Sequence, residues 1–384
     1  MECTLLLAEG CNLECKYCYE GEKKCSSIMN EKTVEDTINF ICNLAHEDEE
    51  IDLMLLGGEP LLNKKAFYKI TNLVSEKYPK KKFNIEMTTN ATLLDKSVLD
   101  TIFTTGIELS ISIDGDRRTN DLNRKSKSGK DYYKYIISQI KYLIRNNKKF
   151  NVRMTVTDNN VKYLMDNIRF FSKMGVKRIY IGLDEFTSWS ENSMQLLDSE
   201  MTKLDQFYLE NIVEDPNKVI NLYDFKISTF IAKREVCFCS AGTENHFVVD
   251  CKGNIYPCNY VAGDPEWEIG NIYSGISHEK FISLIRKHLK ETCSICDCKI
   301  DFSCSGKRCG FKNYSLTGYL NQVSKATCRL EQILYRHNCI VFTSMFRNKI
   351  FRFMKVYDFA KTHKIEVSDF IKKFEEGEDD ETNF

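Results

Sequence analysis

The sequence predicts an α/β fold in which a partial barrel of parallel strands is followed by a cysteine-rich domain. Two observations carry this prediction. No cysteine occurs between Asn43 and Val236, and short apolar segments alternate with helical ones across that stretch. The 17 cysteines lie on either side of it, six from Cys3 to Cys42 and eleven from Cys237 to Cys339. Randomly scattered buried cysteines would not leave such a gap, so we expect two separate cysteine sites.

The central stretch alternates between strand-like and helix-like hydrophobic patterns, which is typical of a parallel sheet. Strands are predicted at Thr4–Leu7, Ile51–Leu56, Phe83–Thr88, Ile107–Ile113, Asn151–Val156 and Arg178–Ile181. Helices are predicted at Glu31–His46 (with Asn30 as N-cap), Asn63–Tyr78, Leu94–Phe103, Asp131–Asn147 and Val161–Met174. About six such units are too few for the eight of a closed barrel and suit a partial (β/α)6 barrel.

The remaining segments predict three domains, at residues 1–220, 221–339 and 340–384. Residues 190–233 have a helical pattern. From Cys237 the chain consists of short Gly- and Cys-rich segments, which we expect to build little apolar core and to depend on metal. After Cys339 an apolar and aromatic helical stretch runs to Phe374, followed by an acidic tail.

Composition narrows the functional classes. The 384 residues are 42% hydrophobic and 28% charged, with a formal net charge of −1, so bulk charge favours no nucleic-acid partner. The apolar runs, such as Leu53–Leu56, are too short to span a membrane. No signal segment precedes Cys11. These features predict a cytoplasmic protein, where cysteines serve metal or redox chemistry more often than disulfides.

Three cysteines, Cys11, Cys15 and Cys18, follow the first predicted strand; we call them the first cysteine loop. A structural zinc site usually takes four ligands as two close pairs, and no fourth cysteine nearby completes such a pair. A [4Fe–4S] cluster bound by three thiolates would leave one iron open for another ligand. The spacing therefore favours an iron–sulfur cluster with a vacant position.

This loop resembles the CxxxCxxC loop of the radical S-adenosylmethionine (radical SAM) superfamily. The resemblance implies a [4Fe–4S] cluster whose open iron binds the amino and carboxylate groups of SAM. It also implies a 5′-deoxyadenosyl radical that abstracts a hydrogen atom, and Tyr17 matches the aromatic position near the adenine.

Further motifs extend the resemblance along the barrel. Gly57, Gly58 and Glu59 stand where the family has its GGEP motif, and Glu59 is expected to accept from the SAM ammonium. Its replacement is expected to weaken SAM binding more than folding. The stretches TTNATLL (88–94) and SISIDG (110–115) resemble pocket-forming segments. Ser112 and Arg124 are candidate carboxylate or ribose contacts, and a capping serine and a surface arginine are the alternative interpretations.

The C-terminal cysteines resemble the SPASM extension, which implies one or two auxiliary [4Fe–4S] clusters. The match assigns Cys239, Cys258 and Cys309 to the first cluster, with Cys237 as a possible fourth ligand. Cys304 and Cys328 fall to the second, with two of Cys293, Cys296 and Cys298. The cysteine spacing from 293 to 309 departs from the family pattern, so the pairing within it stays open. The remaining cysteines have no family counterpart, and most of them are expected to be buried, inert thiols: Cys3, Cys25, Cys42, Cys251 and Cys339.

The resemblance implies a peptide-modifying enzyme that receives electrons from an external donor such as flavodoxin or ferredoxin. Sulfatase maturases, which make formylglycine, carry an Asp after the cysteine of their PC motif, whereas this chain has Asn259. An amide accepts no proton as a carboxylate does. We therefore predict thioether crosslinking of a ribosomal precursor peptide that is rich in cysteine.

Several alternatives stay open: formylglycine formation, carbon–carbon crosslinking, a small-molecule radical enzyme, and a non-catalytic iron–sulfur or zinc protein. Thioether-forming enzymes often carry a leader-binding module before the barrel, and here the barrel begins at once. Leader recognition is therefore expected from a separate protein or another surface.

Overall fold

The computed structural model describes residues 1–19, 27–232, 240–291, 298, 300 and 302–375. It divides into two compact units. The first unit comprises Met1–Ile113, Asn120–Val152 and Ser240–Leu289, and the second comprises Asp114–Thr119, Arg153–Cys239 and Lys290–Phe384. The functional division at residues 220 and 339 stays a prediction.

The described strands include all six that the sequence predicts, most with slightly different ends. They are β1 Glu2–Ala8, β2 Leu13–Cys15, β3 Glu50–Gly57, β4 Lys82–Thr89, β5 Glu108–Ser112, β6 Arg124–Ser126, β7 Asn151–Val156, β8 Arg178–Leu183, β9 Val219–Ile220, β10 His246–Val249, β11 Asn254–Tyr256, β12 Gly270–Asn271 and β13 Gly275–Ile276.

The helices follow the predicted alternation. They are α1 Glu31–Leu44, α2 Lys64–Asn72, α3 Lys96–Thr105, α4 Arg117–Asn123, α5 Tyr133–Arg145, α6 Leu164–Met174, α7 Glu191–Asn211, α8 Asn221–Asp224, α9 Ile227–Ile231, α10 His278–Lys287, α11 Ser305–Arg308, α12 Gly310–Thr317, α13 Lys325–Arg347, α14 Phe351–Thr362 and α15 Asp369–Glu375. The predicted cap of α1 is confirmed, because the Thr33 backbone N–H donates to Asn30 Oδ1 at 2.9 Å.

Within the first unit, an open and mainly parallel sheet has the order β13-β12-β11-β10-β1-β3-β4-β5. Strand β1 lies between β10 and β3 and is parallel to both. Leu5 and Leu7 of β1 are fully buried, and Leu6, on the opposite face of the strand, is only 3% exposed. Both faces of such a strand are covered, which explains its continuous apolar sequence.

The expectation of little apolar core after Cys237 is wrong. Strands β10 to β13 extend the sheet beyond β1, and Phe247, Val249 and Ile255 are fully buried there. Strands of two to four residues are too short to show hydrophobic periodicity, so the sequence pattern did not reveal them.

The second unit contains the parallel pair β8–β9 and the C-terminal helices. The helical pattern predicted over 190–233 is interrupted by β9, whereas α13, α14 and α15 match the predicted C-terminal helical stretch. An aromatic cluster around the fully buried Phe230 joins α9 to α13 and α15, with Phe342 at a centroid distance of 4.9 Å and Phe370 at 5.4 Å. Over the described residues, no helix combines the length and apolar character needed to cross a bilayer.

Candidate active site

The first cysteine loop follows the carboxyl end of β1. Strands β1, β3, β4 and β5 are adjacent and parallel, so the segments that follow them meet at one edge of the sheet. That edge is where barrels of this kind place their chemistry. The predicted site residues of the first unit therefore belong to a common region of the fold.

The two glycines after β3 allow a close approach between the β3 turn and the first cysteine loop. The Gly58 N–H donates to the Ala8 carbonyl at 2.9 Å, and the Glu59 N–H donates to the Gly10 carbonyl at 3.0 Å. A Cβ on Gly58 would lie 2.4 Å from the Gly10 oxygen. Gly57 has φ +137, and a Cβ there would lie 2.2 Å from the Ala8 oxygen. Side chains at either position would push the loop away.

Glu59 is only 1% exposed, and its carboxylate connects β3 to β4. Oε1 accepts from the Thr89 hydroxyl at 2.7 Å and from the Leu61 N–H at 3.1 Å, while Oε2 accepts from the Asn90 N–H at 2.7 Å. Burial raises the pKa of Glu59, and these hydrogen bonds oppose the rise. A carboxylate has about four acceptor positions, so one is left for a donor such as an ammonium.

Asn90 connects the end of β4 to the first cysteine loop. Its Nδ2 donates to Asn12 Oδ1 at 2.9 Å and to Cys11 Sγ at 3.6 Å. The Leu13 N–H also donates to Cys11 Sγ, at 3.4 Å. Sequence reasoning noted the stretch that contains Asn90 but not this residue; its signal is an asparagine directly after a barrel strand.

A short antiparallel pair, β2–β6, holds the other side of the loop. Cys15 is paired with Arg124 in the register of these strands. The Arg124 guanidinium donates to the Tyr17 hydroxyl at 2.6 Å. Three residues that the sequence singled out separately are thus brought together. Ser112 is the last residue of β5, at the same edge of the sheet, and is half-buried.

The YPCNY segment (256–260) contacts the first cysteine loop through two tyrosines. The rings of Tyr19 and Tyr260 lie 5.3 Å apart between centroids. Cys258 is half-buried, and the buried Oδ1 of Asn259 receives no hydrogen bond from any described residue. Among the described residues, this amide oxygen is therefore left without a donor.

In the second unit, Cys328 lies near Cys298 and Glu331, and Cys304 also lies near Glu331. Burial raises the pKa of Cys328, and the nearby Cys298 and Glu331 raise it further. Burial also raises the pKa of Cys304, and Glu331 again adds to the rise. The predicted second auxiliary set, Cys304 and Cys328 with two of Cys293, Cys296 and Cys298, stays a prediction. Cys309 lies in the same unit, between α11 and α12.

Four of the five cysteines expected to be inert are confirmed as buried: Cys3, Cys42, Cys251 and Cys339. Burial raises the pKa of Cys42 to about 11 and that of Cys339 to about 12, so both stay protonated thiols at neutral pH. The other predicted cysteines lie outside the described residues: Cys25, Cys237, Cys239, Cys293 and Cys296.

Residues 5–171 match the family model for the radical SAM superfamily. This part of the chain is a radical SAM domain. The family uses a [4Fe–4S] cluster and SAM, as predicted from the first cysteine loop.

The similarity to two maturation enzymes extends over more residues than the barrel contains. The cysteine-type anaerobic sulfatase-maturating enzyme of Clostridium perfringens strain 13 is 25% identical over 290 residues, 71% of this chain and 78% of that protein. The sporulation killing factor maturation protein SkfB of Bacillus subtilis is 24% identical over 280 residues, 71% of this chain and 65% of that protein.

Solved structures confirm the predicted fold class. Native anSMEcpe with bound AdoMet has a TM-score of 0.73 at 20% identity, over 93% of this chain and 99% of that one. SuiB of Streptococcus suis bound to the precursor peptide SuiA has a TM-score of 0.60 at 15% identity, over 85% of this chain and 75% of that one. At these identities the likeness concerns the fold alone.

The first cysteine loop fits a cluster. Cys18 is exposed, and Cys11 and Cys15 are half-buried, unlike the inert thiols of the core. Burial raises the pKa of Cys11 to about 11, so its thiolate form requires positive charge close by. Irons of a [4Fe–4S] cluster supply that charge, and N–H donors to Cys11 Sγ are in place.

Proposed function

We propose that this radical SAM enzyme modifies a cysteine-containing ribosomal peptide and forms a sulfur-to-carbon thioether crosslink. The observation that carries the proposal is Asn259, whose buried Oδ1 receives no bond from the described residues and whose segment contacts the first cysteine loop. A neutral amide at this position binds and orients a substrate without acting as a base. The relatives named as maturases support a peptide as the substrate.

The residues of the first unit have separate roles in this proposal. Cys11, Cys15 and Cys18 would bind the [4Fe–4S] cluster, which when bound supplies the electron that cleaves SAM. Glu59 holds its remaining acceptor position for the SAM ammonium. Tyr17 and Arg124, joined by their hydrogen bond, form a polar wall beside the loop, and Ser112 is a further SAM contact at the same edge.

The auxiliary cysteines are proposed to hold one or two further clusters that accept the electron released on crosslinking. Cys298, Cys304 and Cys328 would belong to one of them, and Cys258 and Cys309 to the other. Their sulfur ligands suit iron–sulfur clusters. We also propose a cytoplasmic location, with flavodoxin or ferredoxin as the electron donor.

Formylglycine formation is the second candidate, because the cysteine-type sulfatase-maturating enzyme of Clostridium perfringens is 25% identical over 71% of this chain. Co-expression with a short cysteine-rich peptide, taken from a neighbouring reading frame where one is found, followed by mass spectrometry, separates the two. A thioether makes the peptide two hydrogen atoms lighter and protects one cysteine from alkylation. Formylglycine instead replaces a thiol by an aldehyde that reacts with hydrazides, and an unmodified peptide would contradict both.

A matched pair of substitutions tests the part of Asn259. Asn259→Ala should lower crosslinking while leaving reductive SAM cleavage intact, because only the orienting amide is lost. Asn259→Asp supplies the carboxylate that the formylglycine route uses. Wild-type activity in Asn259→Ala would show that this amide does not orient the substrate.

A further inference from the structure

Glu185 lies at the carboxyl end of the barrel strand β8, on a turn that is firmly held. The preceding Asp184 donates its N–H to the Val156 carbonyl at 2.8 Å. The Asp184 carboxylate accepts from the Phe186 N–H at 3.0 Å and from the Thr187 hydroxyl at 2.8 Å. The indole of Trp189 donates to the Asp184 carbonyl at 2.6 Å. Side chains on such a fixed turn are well placed to bind a ligand.

Only one of the two carboxylate oxygens of Glu185 has a partner among the described residues. Oε1 pairs with Lys312 Nζ at 2.6 Å, and the Glu185 side chain is 14% exposed. The other oxygen, Oε2, is buried and receives no hydrogen bond from any residue that the structure describes. A buried acceptor without a donor is costly, and such groups in native proteins commonly have a functional explanation.

Lys312 is only 8% exposed and has two partners among the described residues, Glu185 and the Ser305 hydroxyl at 3.0 Å. An ammonium has three N–H donors, so one is left over. Ser305 directly follows Cys304, and Lys312 comes three residues after Cys309. The pair therefore connects the end of β8 with the segment that carries auxiliary cysteines.

Glu200, a second buried carboxylate in the same unit, differs from Glu185 because both of its oxygens have partners. Glu200 on α7 pairs one oxygen with Lys203 at 2.5 Å, and its other oxygen accepts from the Met165 N–H at 2.8 Å. Both of its oxygens are satisfied within the chain. Glu200 is thus a structural ion pair, whereas Glu185 keeps an acceptor for a ligand.

We propose that Glu185 and Lys312 bind the main chain of the substrate peptide, with Glu185 Oε2 accepting from an N–H and Lys312 donating to a C=O. The inference rests on the proposed peptide-modifying function. Every peptide group carries one donor and one acceptor, and the free acceptor and donor of this pair are complementary to them. The predicted SAM residues all belong to the first unit, whereas Glu185 and Lys312 both belong to the second.

The test uses the full-length enzyme, reconstituted anaerobically, and a synthetic display library of cysteine-containing peptides. Selection on the wild-type enzyme with SAM yields a binding peptide, whose affinity is then measured for Glu185→Gln, Lys312→Met and the control Glu200→Gln. We expect Glu185→Gln and Lys312→Met to lose about tenfold or more in peptide affinity. Glu200→Gln should bind the peptide within about twofold of wild type, as expected for a site away from the ligand.

Each outcome decides a separate question. Peptide affinity unchanged in both Glu185→Gln and Lys312→Met would overturn this inference and leave the proposed function standing. Loss of SAM affinity in Glu185→Gln would also overturn it, because Glu185 would then belong to the SAM site. If the wild-type enzyme selected no peptide, the proposed function would fail, and this inference with it. Thermal melting of all three variants identifies any loss of folding.

Discussion

Replacement of Glu59 tests whether one buried carboxylate serves both folding and SAM binding. Its position in the GGEP turn predicted that replacement weakens SAM binding more than folding, and this stays a prediction. The structure buries the side chain and gives it three donors, from Thr89, Asn90 and Leu61. Glu59→Ala would leave these buried donors unpaired.

The magnitude follows from those three contacts. A hydrogen bond to a charged group contributes about 1.5–3 kcal/mol, and the cost of burying the carboxylate offsets part of the sum. We expect Glu59→Ala to lower the free energy of unfolding by about 3–5 kcal/mol. Glu59→Gln keeps the acceptor for Thr89 and Leu61 and sets an NH2 against the Asn90 N–H. It should therefore cost about 1–3 kcal/mol.

The pH dependence has a definite sign. Burial raises the pKa of Glu59 above its ordinary value of 4.5, so the folded protein keeps this proton after the unfolded chain has lost it. The stability contributed by the protonated form is present below about pH 4.5 and is lost as pH rises through the folded pKa. Because Gln does not titrate, the stability difference between wild type and Glu59→Gln should narrow as pH rises.

Urea unfolding without SAM, between pH 4.5 and 8, measures this difference, and isothermal titration with SAM measures binding. Glu59→Gln should weaken SAM binding about tenfold or more, because the ammonium loses a charged acceptor. Full SAM affinity with reduced stability would make Glu59 a purely structural residue. A stability difference that widened with pH would refute the assignment of its raised pKa.

Three further substitutions test other parts of the site and fold. Replacing all three cysteines of the first cysteine loop by Ala should abolish 5′-deoxyadenosine formation and leave the auxiliary iron in place. Wild type should contain roughly 8 to 12 iron atoms per chain. Product formation by the triple variant, or four irons together with zinc in wild type, would contradict the cluster assignments. Gly58→Ala should displace the first cysteine loop and lower iron binding, because the new Cβ would lie 2.4 Å from the Gly10 carbonyl oxygen. Gly182→Ala is the control, because the nearest atom to its Cβ, the Met154 carbonyl oxygen, lies 4.0 Å away. Asp95→Ala should cost about 1 kcal/mol by removing the α3 cap. Because the Lys64 and Val98 contacts lower the pKa of Asp95, that stability should be present above pH 3.8 and lost at lower pH, as urea unfolding would show.

The sequence predicted the barrel strands well because their signal is local. Strand β7 has the predicted bounds, and the N-cap at Asn30 follows from a side chain three residues from its donor. Strands β10 to β13 escaped prediction because each has four residues or fewer. In addition, β10 forms by pairing with β1, at a separation of over 240 residues, which no local pattern records.

The candidate site divides in the same way. Cysteine spacing and the GGEP motif are local, and they located the first cysteine loop and its neighbours. The contacts of Asn90 with Cys11 and of Arg124 with Tyr17 join residues about 80 and 107 positions apart. Such contacts depend on strand order, so Arg124 was identified only through a loose family match.

Glu185 could be identified only from the structure. The absence of a carboxylate at position 259 argues against one reaction, whereas Oε2 of Glu185, which has no partner among the described residues, locates a specific acceptor atom. The sequence gives Asn259 in place of a carboxylate and so argues against one chemical route, but it offers no sign of where another carboxylate lies. Acidic residues after strands are common, and Asp184 stands beside Glu185 with both of its oxygens bonded within the turn. Only the hydrogen-bond pattern separates the two: Asp184 holds the turn, and Glu185 keeps one buried oxygen without a donor among the described residues. Because that oxygen lies next to an ammonium with a donor to spare, the pair has the polarity of a peptide-binding element rather than that of a closed structural ion pair.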